Sequence, residues 1–188
     1  MDHLWSPWRY KYVASIDPQE GCVFCRIDQE HKDAENYVIH RARLNFVLLN
    51  LFPYTSGHLM IAPYEHKASL SEVSEATTTE MIELAKRAQV ALEKEYRPDG
   101  FNIGMNLGRS AGAGIADHLH LHVVPRWSGD ANFVSIVGET RVLPEDLWSH
   151  NSEFLLIILS VAIASPINSE GQHRRLPCRN GRDPLAGR

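Results

Sequence analysis

The sequence predicts an α+β domain in which a largely antiparallel sheet is covered by one long helix. Three observations carry that prediction. Short β-branched and aromatic runs come first, one stretch of helical periodicity follows, and further strand-like runs come after it.

Tyr37-Val38-Ile39 and Phe46-Val47-Leu48-Leu49 are rich enough in β-branched and aromatic residues to form two strands, separated by the polar Arg41-Ala42-Arg43-Leu44-Asn45. Pro53 and Gly57 punctuate the next segment, which reads as a loop. His58-Leu59-Met60-Ile61-Ala62 is a third strand, stopped by Pro63. From about Ser69 to Tyr96 the period changes. Met81, Leu84, Ala85, Ala88, Ala91, Leu92 and Tyr96 recur at three- and four-residue steps with charged residues between them, as in an amphipathic helix. That helix ends at Arg97-Pro98-Asp99-Gly100, because proline disfavours helix at the preceding residue and glycine supplies a turn. Residues 101–106 and 118–124 read as two more strands, with the glycine-rich 108–114 between them.

The chain has 188 residues, enough to bury a core without disulfides. Hydrophobic residues at 44% and charged residues at 22% are ordinary for a globular protein. A net charge of −4 argues against a nucleic acid as partner, although one local site can still be positive and take a small anion. The first residues carry no basic start followed by an apolar stretch, so the expected location is the cytoplasm. Residues 154–164 (FLLIILSVAIA) are almost continuously apolar but about half the length that spans a bilayer, which favours a buried or partner-facing helix. The organisation that follows is an extension over 1–36 ending in a knuckle around Cys22 and Cys25, a domain over 37–147, and a tail over 148–188. That tail is turn-rich and arginine-bearing from Ser165 onward, and it reads as partly disordered.

His118-Leu119-His120-Leu121-His122-Val123-Val124-Pro125 carries most of the functional information. Side chains alternate across a strand, so the three imidazoles line one face while Leu119, Leu121 and Val123 enter the core. Imidazole suits two tasks near neutral pH, metal ligation and nucleophilic or proton-transfer chemistry. Alternate side chains stand roughly 7 Å apart at their bases, so three of them converging on one ion would be strained. A division of labour fits better.

This pattern, His-φ-His-φ-His-φ-φ, resembles the signature of the histidine-triad (HIT) superfamily of nucleotide hydrolases and transferases. The likeness covers roughly residues 4–147. HLHLHVVPRWSGD, together with Leu4-Trp5-Ser6-Pro7-Trp8-Arg9, looks most like the bacterial dinucleoside tetraphosphate phosphorylase branch. The resemblance implies a HIT-like fold, a homodimer and a small-molecule nucleotide substrate such as diadenosine tetraphosphate. It implies that His120 attacks an α-phosphate and carries a nucleotidyl group, and that His122 orients His120 or touches phosphate oxygens. His58 matches the family's fourth histidine. Asn50, eight residues before it, is implied near the ribose, and Asn106 and Ser110 near ribose or phosphates.

The glycine-rich loop through Gly112 lets a backbone approach phosphate closely, and consecutive amides can form an anion nest. Arg109 can meet a distal phosphate, and Trp127 either stacks on a base or fills a surface groove. Phosphorylase members often carry a serine near the place of Ala113-Gly114. Its absence here leaves phosphate and water open as the second nucleophile.

Cys22-x-x-Cys25 favours a metal or redox pair over a structural disulfide in a chain with three cysteines and no export signal. A structural zinc needs four ligands. In relatives with this knuckle the set is completed at positions that are His66 and His118 here, so the resemblance implies a structural zinc on Cys22, Cys25, His66 and His118. Three other activities compete with dinucleoside polyphosphate cleavage: a nucleoside phosphoramidase, a non-catalytic zinc-stabilised nucleotide-binding module, and a metallohydrolase using the three histidines as ligands.

Overall fold

The computed structural model describes residues 21–128 and Asp130. The motif at residues 4–9, the apolar run 154–164 and the arginines of the tail lie outside the described residues. The elements run α1 (Val23–Glu30), β1 (Val38–Arg41), β2 (Asn45–Leu49), β3 (Leu59–Pro63), α2 (Glu75–Tyr96), β4 (Gly100–Met105) and β5 (Leu121–Arg126). The sheet order is β1-β2-β3-β5-β4, and every neighbouring pair is antiparallel. The α+β class expected from the sequence is what folds.

Both faces of the sheet are covered. Helix α2 lays Met81, Leu84, Ala85, Ala88 and Leu92 against Val47, Leu49, Leu59, Ile61, Leu121 and Val123. On the opposite face, Phe24 and Ile27 of α1 pack on Val38, Phe46, Leu48, Met60 and Ala62. That double cover is why β2 from Phe46 onward and β3, buried at every position, read as continuous apolar runs without polar alternation. No helix among the described residues is long and apolar enough to cross a membrane.

Helix α1 is not legible locally. Its N-cap Cys22 makes no side-chain cap bond and its first turn holds no acidic residue, so nothing in its sequence starts a helix. Tertiary contacts hold it instead. Phe24 is 1% exposed, and burying a side chain of that size contributes about 1.5–3 kcal/mol. From β1, the Arg41 guanidinium donates to Asp28 (2.8 Å), Asp33 (3.0 Å) and the Ile27 carbonyl (3.1 Å), clamping the helix end to the sheet. The knuckle expected around Cys22 and Cys25 is therefore a short helix integral to the second core.

The long helix also starts later than its periodicity suggested. Ser69 and Glu72 close a capping box around a single 3-10 turn (Leu70–Glu72), and Val73 is extended. Ser74 then caps α2, accepting from the Thr77 amide. At the other end Arg97 takes the left-handed conformation and its amide returns to the Glu93 carbonyl, so Gly100 opens β4 rather than forming the turn.

A second difference bears on function. The histidine segment was expected to be strand from residue 118, yet the ladder begins at Leu121. Beside β3 the His58 carbonyl accepts from the Asn50 amide and the Tyr64 amide donates to the Leu44 carbonyl, both on the β2 side, so the backbone groups of the odd-numbered residues between them face β5. Pro63 is one of these and has no amide to donate. Its carbonyl accepts from the His118 ring (2.9 Å), while the Leu119 amide reaches the Lys67 carbonyl (2.6 Å). His118, Leu119 and His120 thus leave the ladder and are held by other bonds.

Candidate active site

His118, His120 and His122 still alternate with Leu119, Leu121 and Val123, which lie in the α2-side core. The imidazole face is enclosed rather than open, with exposures of 1%, 5% and 8%. Phe24 of α1 lies over two of the rings, 5.0 Å from His120 and 5.1 Å from His118 between centroids. Sequence reading missed Phe24, although its place between the two cysteines of the knuckle was a signal.

The loop between β2 and β3 brings in the fourth histidine. Gly57 takes φ +74°, and a Cβ there would stand 3.0 Å from Leu92 and 3.1 Å from Tyr96, so only glycine lets the loop turn this close to α2. His58, next in sequence, is 1% exposed and lies 3.0 Å, Nε2 to Nδ1, from His122.

The hydrogen bonds assign the proton order of these rings. The Phe52 amide donates to Asn50 Oδ1 (2.9 Å), which leaves the Asn50 NH2 to donate to His58 Nδ1 (3.3 Å). The Tyr54 amide donates to the same nitrogen (3.1 Å). His58 Nδ1 is therefore an acceptor, and its Nε2–H donates to His122 Nδ1. The His122 proton then sits on Nε2, a buried atom with no hydrogen-bond partner in the protein. His120 donates from Nδ1 to the His118 carbonyl (2.9 Å), which leaves its lone pair on Nε2. A nucleophilic nitrogen and a donor N–H thus stand on adjacent rings, with centroids 4.8 Å apart.

All of these rings are held neutral. Burial, followed by the neighbouring His122 and His120, pushes His58 down to about 3. Burial and then His120 push His122 down to about 4. Burial also lowers His120, against the upward pull of the His118 carbonyl. In the unfolded chain an imidazole protonates near 6.5, so acidification charges the unfolded state first. Stability is fully present above that value and is lost as pH falls toward the folded-state values. Replacing His58 with asparagine is expected to flatten the slope of unfolding free energy against pH, in the window between 6.5 and about 3, by up to about 1.4 kcal/mol per pH unit. Urea denaturation at a series of pH values measures it. A slope equal to the parent's would show that His58 is not buried neutral.

The remaining nucleotide-site candidates fall into three groups. Asn50 and His122 are joined through His58 as above. Asn106 follows the end of β4, whose last pairs set Gly104 opposite His122 and Met105 opposite Leu121. Gly104 itself carries no side chain, and a Cβ there would meet nothing within 4 Å, which leaves room beside His122. Glycine inside a strand was a usable signal for close approach of a ligand. Arg109, Ser110 and Gly112 lie on an exposed 3-10 turn. The nest expected there is largely closed on itself, since the amides of Ala111 and Ala113 go to the Gly108 carbonyl and that of Gly112 to the Arg109 carbonyl. Trp127 is not brought to the imidazoles. It stands edge-on to Tyr96 at the end of α2, 6.4 Å between centroids.

Cys22, Cys25, His66 and His118 form a separate cluster whose ligand atoms all lie within 4.8 Å of one another. His118 gives its Nε2–H to the Pro63 carbonyl, so Nδ1 faces Cys22 Sγ (3.2 Å) and Cys25 Sγ (3.6 Å) with a lone pair. His66 Nδ1 is 3.4 Å from Cys25 Sγ. Two sulfurs and two nitrogens at such separations suit a tetrahedral zinc, whose ligand–ligand edges measure roughly 3.3–3.8 Å. His118 therefore belongs to both sites, to this one by its ring and to the His120 site by its carbonyl.

The HIT domain model matches residues 31–129. The chain belongs to the HIT family. A HIT relative from Mycobacterium tuberculosis, AP-4-A phosphorylase, is 40% identical over 153 residues, spanning 77% of this chain and 78% of the relative. Among solved HIT structures, a zinc-bound histidine triad family protein from Mycobacterium smegmatis is 30% identical with a TM-score of 0.59, covering 77% of this chain and 94% of that one. A hypothetical histidine triad nucleotide-binding protein from Sulfolobus tokodaii is 27% identical with a TM-score of 0.61, covering 76% and 91%.

Proposed function

We propose that this HIT enzyme cleaves dinucleoside polyphosphates such as diadenosine tetraphosphate in two displacements at phosphorus, with inorganic phosphate as the second nucleophile. The observation that carries the reading is the proton order, which offers a lone pair on His120 Nε2 next to an unpartnered N–H on His122. In the first step His120 Nε2 attacks the α-phosphorus. The bond to the bridging oxygen breaks, and the rest of the polyphosphate leaves as a nucleoside triphosphate while the nucleoside monophosphate stays on nitrogen. His122 Nε2–H donates to a phosphoryl or bridging oxygen, where negative charge grows. The bare strand at Gly104 gives the phosphates their room, and the family resemblance assigns Asn50 and Asn106 to the ribose. In the second step an oxygen of inorganic phosphate attacks the phosphoramidate, freeing His120 and releasing a nucleoside diphosphate.

Phosphate as acceptor is supported by the 40% identity to the mycobacterial phosphorylase. Water is the second reading, favoured by Ala113-Gly114 standing where phosphorylases often have serine. Rapid quenching with substrate labelled at the α-phosphate tests the scheme. A nucleotidyl group on His120, discharged faster by phosphate than by water, is the expected result. Turnover without any labelled intermediate would refute the scheme, and discharge indifferent to phosphate would transfer it to hydrolysis.

Cys22, Cys25, His66 and His118 would hold a structural zinc, which supplies a fixed tetrahedral anchor and no chemistry of its own. The donor set and the lone pair of His118 support that assignment. Burial first, and then the neighbouring Cys22, push the Cys25 thiol up, and a bound cation would offset that. The reading includes a homodimer, supported by the outer edge of β4. That edge has no strand partner among the described residues, and Ile103 on β4 is 45% exposed. A cytoplasmic location, which keeps thiols reduced, is consistent with free Cys22 and Cys25.

A further inference from the structure

We propose that Tyr54 is a positioning residue for nucleotidyl transfer, its main chain directing the proton of the His58–His122 pair and its ring keeping that pair dry. The inference rests on the reading that His122 gives its Nε2–H to the substrate.

Two independent contacts from one residue converge on the pair. The Tyr54 amide donates to His58 Nδ1 at 3.1 Å. Unlike a hydroxyl, or an amide side chain that can flip, a backbone N–H cannot reverse its polarity, so it works in one direction only. The Tyr54 ring lies 4.7 Å from the His58 ring at 32°, and 6.0 Å from the His122 ring at 36°, within the range of offset aromatic packing. The loop that carries it is anchored next door, where Thr55 Oγ1 donates to the Pro125 carbonyl at the end of β5 (2.8 Å). Tyr54 is thus tied to the strand that bears His122 as well as to His58.

The consequence is chemical. With the opposite proton order, His58 Nδ1–H would face two donors, those of Tyr54 and Asn50. His122 would then present a lone pair to the anionic phosphate in place of a donor. Water entering beside the pair would give both nitrogens of each ring alternative partners and let the two orders interconvert. A ring stacked over the pair excludes that water, so the order imposed by the Tyr54 amide passes intact to His122. Neither feature of Tyr54 stood out in the sequence, where it is one aromatic residue in a proline- and glycine-punctuated loop.

The test separates ring from amide. Tyr54→Phe keeps both and is expected to retain kcat within about twofold. Tyr54→Ala removes the ring alone, and kcat should fall about tenfold, a fraction of the roughly 10²–10⁴-fold that a positioned proton donor supplies. KM should stay within about threefold. Nitrogen-15 imidazole spectra of the substrate-free protein should show His122 protonated on Nε2 in the parent and a mixture of tautomers in Tyr54→Ala. Tyr54→Val, which also lacks the ring but keeps more bulk, is read in the same way should alanine unfold the loop. Ring-less variants with a single His122 tautomer and parental kcat would overturn the proposal, as would a change confined to KM or to thermal stability. Because the spectra need no substrate, a failure of the proposed reaction would show up separately, as a missing intermediate on His120 in the parent protein.

Discussion

Replacing His120 with asparagine is expected to lower kcat for diadenosine tetraphosphate on the order of 10⁴-fold or more, the scale seen when an enzyme loses its nucleophile. Asparagine is chosen because its side-chain NH2 can still donate to the His118 carbonyl, the bond that orients residue 120. The packing against Phe24 is reduced but the fold should stand, with substrate KM changed far less than kcat. Steady-state kinetics and a quenched-flow search for the protein-bound nucleotide make the measurement together. Substantial residual turnover would mean that water attacks the phosphorus directly, and His120 would then be a general base. The prediction follows from proton order rather than from the presence of a histidine. Only a ring whose Nδ1–H is already committed offers Nε2 as the nucleophile at neutral pH, and burial keeps that ring neutral.

Removing the zinc proposed on Cys22, Cys25, His66 and His118 is expected to have the largest effect on stability. For a metal present at a thousand times its dissociation constant, linkage predicts a loss of about 4 kcal/mol. In a chain of this size that corresponds to a fall in Tm of roughly 10 °C. Chelation and the Cys25→Ser variant should give similar falls, read by calorimetry alongside direct metal analysis. Activity should decline more gradually than stability, because the cluster touches the chemistry indirectly, through His118 and the Phe24 ring. Its ring would bind metal while its carbonyl holds His120, and α1 joins the two places by laying Phe24 across both rings. Immediate loss of turnover on chelation with unchanged Tm would place the metal in the reaction instead, as in the metallohydrolase alternative. Purified protein with full stability and no bound metal would remove the zinc assignment.

Much of this site can be read along the chain, for a simple reason. Alternation has a period of two and needs no partner, so HLHLHV by itself separates Leu119, Leu121 and Val123 from the three imidazoles. The spacing of Met81, Leu84, Ala88 and Leu92 marks the covering helix in the same local way. The start of that helix was less secure. Ser69 and Ser74 are both competent N-caps, and only the extended backbone at Val73 decides between them.

What the sequence determined by itself was therefore the arithmetic of faces: which side chains lie toward α2, which imidazoles lie together, and that the chain carries a histidine-triad pattern and, far from it along the chain, a thiol pair. Tertiary structure alone decided how those groups act. It brought His58 to His122 across 64 residues and Cys22 to His118 across 96, and it folded an uncapped eight-residue helix by burying Phe24 and clamping its end with Arg41. It also ended the histidine ladder at Pro63, which has no amide to give, and set each ring's proton through fixed backbone donors and acceptors at Phe52, Tyr54, Pro63 and His118. A side chain's face follows from chain geometry one residue at a time, whereas the position of a proton on an imidazole depends on whichever polar group the rest of the fold sets opposite it.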